Sequence, residues 1–243
     1  MSLDLASPAF AVAAGGAVLA GLVRGFSGFG GAMVLVPILA ATYTPTLAVP
    51  VLQLTDFVLT CPLAWRARRR CAWRDVLPLW AGHALAVPFG LAILVLADPE
   101  ILTRVMGLLV IAVAAAMALG LRRRTTPGRL GTFVVGQGAG LLSGATGIGG
   151  PPVVLFWLSG QDGVPTVRAN ILVFFTLAGI VAILAMGVAG LLTREALVLT
   201  AALLPPYALG LLVGARAFTG SDERIYRPIA LAIIFAVGFM TLI

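Results

Sequence analysis

The sequence has no lysine, a single histidine, and charge on only 10% of its 243 residues. A water-soluble domain of this size carries about 25% charged residues. Polar surface is therefore too scarce to cover a globule in water, which excludes an ordinary soluble fold. With 60% hydrophobic residues and a mean hydropathy of +1.09, lipid is the natural solvent, because apolar side chains can then face outward as well as inward. The two cysteines, Cys61 and Cys71, belong to no CxxC pair. With one histidine they leave no ligand set for a metal, and no metal is expected. A disulfide is disfavoured at the edge of a loop expected in the cytoplasm. There is no HExxH, no Cys/His pair and no paired carboxylate beside the glycine clusters, so neither an enzyme nor a cofactor is expected. Asp4 and the lack of a basic leading segment make the N-terminus a poor cleavable signal, so the first apolar stretch reads as part of the mature protein.

What charge there is has a pattern. The net charge of +7 rests on 16 arginines. Nine of them lie in two short stretches, Arg66 to Arg74 and Arg122 to Arg129, each between apolar runs. That placement marks the cytoplasmic face of a membrane protein rather than a nucleic-acid surface.

A helix needs about 20 apolar residues to cross a ~30 Å hydrocarbon core. The apolar runs are 9–42, 46–65, 76–97, 101–121, 130–159, 166–192, 196–218 and 226–243. The expected fold is thus an all-α polytopic membrane protein of about eight transmembrane segments. With both arginine clusters inside, the acidic loops at Asp98-Glu100, Asp162 and Asp222-Glu223 fall outside, and both termini are expected in the cytoplasm of a cell inner membrane. Two runs are too long: 9–42 and 130–159 would make helices of about 51 Å and 45 Å. Each has a glycine cluster near its middle. Each is either a broken, tilted span or a re-entrant hairpin, and a hairpin would invert the two halves. The charge rule favours broken spans and parallel halves.

The two long runs are related. Residues 21–31 (GLVRGFSGFGG) align with 140–150 (GLLSGATGIGG) at an offset of 119, with five glycines and one leucine identical. Pro45-Thr46 matches Pro165-Thr166 at offset 120, and Ala84-Leu85 with Gly90 match Ala208-Leu209 with Gly214 at offset 124. The chain reads as two homologous four-segment repeats, residues 1–124 and 125–243, each with an interrupted first segment.

Duplicated halves are a common transporter plan, with the substrate near the midplane at discontinuous helices. Glycine permits backbone angles that other residues resist. Amides freed at a break cannot face lipid, and those at a helix start favour an anion. Pro151 and Pro152 suit the first turn of such a helix. The candidate substrate-binding residues are therefore Arg24, Ser27, Gly28, Gly30 and Gly31 in the first half. Gln53 lies on the following span. Ser143, Thr146, Gly147, Gly149, Gly150 and Asn170 come from the second half. Asp56 is an intramembrane carboxylate, costly unless it works or pairs, and is the candidate for proton coupling. His83 reads as a proton relay or a hydrogen-bonded structural residue. Close helix packing is the competing explanation for Gly21, Gly25, Gly136, Gly140, Gly144, Gly210 and Gly214, which have small-xxx-small spacing. It leaves a non-transporting membrane scaffold as the alternative function.

Gly28-Phe29-Gly30-Gly31 with Pro37, and Gly147-Ile148-Gly149-Gly150, resemble the glycine-rich signature of the TauE/SafE (TSUP) family in each half. Ala32 and Pro151 stand where the family usually has a third consecutive glycine. The resemblance implies a permease for sulfite, sulfonates or related small anions. The expected partners are that anion, membrane lipid and a second copy in a homodimer. It implies export, but no residue encodes the direction.

Overall fold

Helix starts follow the chemistry of the preceding loops. Ser7, Thr44, Asp98 and Thr193 each use a side-chain oxygen to accept a backbone N–H one turn on, from Phe10, Leu47, Ile101 and Ala196. Proline follows three of these caps, at Pro8, Pro45 and Pro99, where its missing N–H costs nothing. The computed structural model describes residues 7–27, 30–119, 128–158 and 163–219, with 232, 235–237 and 239. Gly28, Arg122 to Arg124, Asp162, Asp222 and most of the run at 226–243 lie outside the described residues.

Within them the chain is helical, without strands. Its helices are α1 (Pro8–Ser27), α2 (Gly31–Thr42), α3 (Pro45–Ala67), α4 (Trp73–Leu96), α5 (Pro99–Ala118), α6 (Arg129–Thr146), α7 (Gly150–Leu158), α8 (Val164–Val188) and α9 (Arg194–Thr219), with a 3-10 turn at Arg68–Arg70 before α4. Six of them, α1, α3, α4, α5, α8 and α9, are long and apolar enough to cross a membrane. Leu96, Leu184, Val188, Phe89 and Leu209 are largely exposed on them, as side chains solvated by lipid are.

The two overlong runs each resolve into two helices. At 12 and nine residues, α2 and α7 are about 18 Å and 14 Å long, too short to span. Where the charge rule favours a broken span that continues onward, the structure has the chain turning back. Gly31 at the start of α2 lies beside Ala20 and Arg24, whereas Ile38, two turns later, lies against Gly16. Contacts that move down one helix while moving up the next make α1 and α2 an antiparallel hairpin. Gly149 likewise already sits beside the Ala139 carbonyl and Ser143 of α6. Hydropathy shows that a run is apolar, not which way it travels.

The chain forms two compact units. One comprises Met1–Leu52, Ala97–Leu121 and Leu192–Ile243, the other Gln53–Leu96 and Arg122–Leu191. In the first unit α1 packs on α9. A β-carbon on Gly21 or Gly25 would collide with the Tyr207 or Leu211 carbonyl, and one on Gly210 or Gly214 with the Val18 or Leu22 carbonyl. In the second unit α4 packs on α6 in the same way. Gly140 and Gly144 meet the His83 and Val87 carbonyls, while Gly82 and Gly90 meet those of Phe133 and Leu141. Residue numbers rise together along both seams, so each pair of helices is parallel. In lipid, where apolar burial does not drive helices together, this close approach supplies the attraction.

A methyl group added at the seam must push the helices apart. Gly140→Ala is expected to lower stability by about 1–3 kcal/mol, the usual cost of overpacking. Gly138→Ala, two residues away with nothing within 4 Å, is expected to be neutral or slightly stabilising. Thermal melting of the two variants in detergent checks the contrast.

Candidate functional site

Each glycine break contains one left-handed glycine, but at different points: Gly30 caps the start of α2, and Gly147 caps the end of α6. In the first unit α1 ends at Ser27 and α2 starts at Gly31 after Gly30, whose φ of 92° lies in the left-handed region. In the second, α6 ends at Thr146, Gly147 takes a φ of 70°, and α7 starts at Gly150. Only glycine adopts this conformation without penalty. Gly190, after α8, is the third glycine with positive φ among the described residues.

Around the first break, Arg24 is buried on the last turn of α1, with its Cβ against the position a side chain on Gly31 would take. The hydroxyl of the fully buried Tyr207 points at the same spot from α9. Any side chain at Gly31 would displace it. The Met33 amide folds back to the Gly30 carbonyl at 3.0 Å. Ser27 closes α1, and Gly28 lies outside the described residues.

Around the second break the polar groups are tied down one by one. The Gly147 amide donates to the Ser143 carbonyl at 2.9 Å. Thr146 Oγ1 donates to the Leu142 carbonyl at 2.7 Å and accepts the Ile148 amide at 3.2 Å. Gln53 Nε2 reaches Ser143 Oγ at 3.5 Å, the outer limit of a hydrogen bond. A β-carbon on Gly149 would lie 2.6 Å from Ser143 Cβ, whereas one on Gly150 would make an ordinary 3.4 Å contact with the Phe175 ring. Gly149 is thus required by space. Gly150 is not, and it begins a helix whose next two residues, Pro151 and Pro152, have no amide hydrogen.

Within the second unit the structure therefore gathers Gln53, Ser143, Thr146, Gly147 and Gly149. Asn170 is drawn elsewhere: its Oδ1 accepts the Ala72 amide at 2.8 Å, anchoring the start of α4 to α8. Asp56 lies one turn beyond Gln53 on α3, partly buried, with its carbonyl accepting Thr60 Oγ1. His83 is buried and edge-on to Phe174, with ring centroids 5.4 Å apart. Tyr207 is the residue that motif reading missed. The offset of 124 that aligns Ala84 with Ala208 places it opposite His83, and that was the available signal.

Beside the Asn170 anchor, Cys71 is half-buried. Burial, and secondarily the Asp75 carboxylate, push its thiol up to about 11. At pH 8 it is therefore expected to stay protonated and to alkylate slowly in a Cys61→Ser background. The rate should climb about tenfold per pH unit towards pH 11, since the thiolate is the nucleophile. Asp75→Asn removes one cause of the upward shift and should speed labelling at pH 8. Maleimide kinetics followed by mass spectrometry measure both effects.

The family model for the sulfite exporter TauE/SafE matches residues 13–241, nearly the whole chain. Searches of curated proteins and of solved structures return no match.

Proposed function

Because the chain belongs to the sulfite exporter TauE/SafE family, a family of membrane transporters rather than enzymes, we propose that it is a secondary transporter that moves a small sulfur-containing oxyanion, sulfite or a sulfonate, outward across the inner membrane. The observation that carries the site is the pair of left-handed glycines, Gly30 at the start of short helix α2 and Gly147 at the end of α6, three residues before short helix α7. Amides at such a start favour an anion and cannot be left to lipid. A pure packing role accounts for Gly21, Gly25, Gly140, Gly144, Gly210 and Gly214, which press on neighbouring backbone. It does not call for positive φ. Asp56 is the proposed proton carrier, since a carboxylate at membrane depth is costly unless it works or pairs.

The reading is tested by sulfite flux in proteoliposomes with and without a pH gradient. Wild type should show saturable flux. Gly30→Val and Gly149→Val should reduce it at least tenfold in protein that still elutes as a folded species. Normal flux in both variants would remove the site assignment, and no flux of any sulfur oxyanion in wild type would remove the function.

We also propose that the halves are duplicated and inverted. Supporting this, the seam contacts correspond: Gly21 on Tyr207 and Gly25 on Leu211 become Gly140 on His83 and Gly144 on Val87 under the offsets 119 and 124. Helix directions within the second unit are consistent with it: α4 and α6 run parallel from the arginine-rich side, and α8 runs with α4, since Asn170 meets Ala72 and the later Phe174 meets His83. The proposed inversion has the N-terminus outside, unlike the orientation that broken spans imply. Of the arginines away from the clusters, Arg104 is paired to Glu100 at 2.6 Å, and Arg194 is followed by Glu195. Thr193→Cys in a chain without native cysteines distinguishes the arrangements. A membrane-impermeant maleimide should label it on intact cells, and protection there would restore the parallel arrangement.

A further inference from the structure

Five side-chain nitrogen or oxygen atoms among the described residues are buried without a hydrogen-bond partner, and four of them lie in the second unit: Trp80 Nε1, His83 Nδ1, Trp157 Nε1 and Asn170 Nδ2. Trp157 belongs to an apolar cluster with Val76, Leu79, Val153, Val167, Val173 and Phe174, and Trp80 packs against it. Phe174 is its hub. His83 approaches the ring edge-on from α4 at 5.4 Å, and Trp157 does so from α7 at 5.5 Å. Asn170 lies one turn before it on α8. His83, Trp157 and Asn170 are 2%, 3% and 0% exposed.

The chemistry of these atoms is one-sided. An indole nitrogen only donates, and so does an amide nitrogen. The carbonyl end of Asn170 is already engaged by the Ala72 amide. His83 Nδ1 joins the donors whenever it carries the proton. Buried donors left unmade are costly, and native proteins rarely keep several together. Water would satisfy some of them but would turn its own hydrogens towards valine and phenylalanine. A ligand with acceptors alone completes the set.

We propose that Trp157, Asn170 and His83 form a binding site for a tetrahedral or pyramidal oxyanion within the second unit, on the far side of α7 from its glycine start. The choice of a sulfur oxyanion rests on the transport reading above. The geometry requires only an acceptor-rich anion. Trp157 and His83 hold the anion through ring nitrogens fixed by their packing on Phe174, and Asn170 holds it with the half of its amide not used to anchor α4.

Two substitutions change the donors with the least change of shape. Trp157→Phe retains a ring against Phe174 but removes the N–H. Asn170→Asp retains an acceptor for the Ala72 amide but puts negative charge where a donor stood. Calorimetric titration of the purified full chain with sulfite, against chloride at equal ionic strength, should show about tenfold weaker binding in Trp157→Phe, as loss of one charged-group hydrogen bond predicts. Binding should be lost in Asn170→Asp. Trp157→Phe is expected to melt somewhat lower than wild type, since the smaller ring leaves a cavity in the core, so affinity is the deciding readout. Unchanged sulfite affinity in Trp157→Phe would give the residue a purely structural role and overturn the inference. If both variants bind and carry sulfite like wild type, the site falls and the transporter stands. If wild type binds sulfite in a Trp157-dependent way but carries none, the site stands and the transporter falls. If wild type neither binds nor carries it, both fall.

Discussion

Two pairs of helices in this protein touch backbone to backbone, and the rest of its architecture hangs on those seams. Along α1 and α9, and again along α4 and α6, glycines on one helix meet carbonyl oxygens on the other. In water such helices would be driven together by apolar burial. In lipid that force is absent, and close approach with its dispersion contacts takes over. The seams also fix direction. A parallel pair of long helices at backbone distance defines where each hairpin, α1 with α2 and α6 with α7, must turn.

Glycine has two separate duties here, and conformation tells them apart. Gly21, Gly25, Gly140 and Gly144 are ordinary helical residues whose missing side chain is the point. Gly30 and Gly147 are left-handed, and their missing Cβ matters for the angle it permits. Gly149 joins the first group through its neighbours Ala139 and Ser143. The same residue type thus builds the frame and interrupts it. Both uses suit a family of membrane transporters, in which rigid bodies carry short interrupted segments at the centre.

Much of this was legible in the sequence. Ser-Pro, Thr-Pro and Asp-Pro pairs marked helix starts because a short polar side chain caps while proline accepts the orphan position. The glycine clusters marked breaks because three glycines in four residues cannot hold a helix against competing angles. The direction of the chain after each break was not legible, since an apolar run looks identical whether it continues or returns. Nor was the division of labour at Asn170, which looked like a cavity residue and spends its carbonyl on the start of α4. The burial of Trp157 and Tyr207 against particular partners arises from helices distant in sequence, and no local spacing encodes it.

Pro151 and Pro152, which looked like simple helix starters, make the two breaks unequal. A helix opening offers its first few amide hydrogens to whatever lies beyond it, and proline has none to offer. The first turn of α7 is left with the amide of Gly150 alone. That of α2 keeps those of Gly31 and Ala32, with Met33 bonded back to Gly30. Backbone alone therefore offers fewer amide hydrogens at the opening of α7 than at that of α2. On the proposed transport reading, two such openings would fill and empty at different speeds, a polarity that the near-repeated sequence conceals.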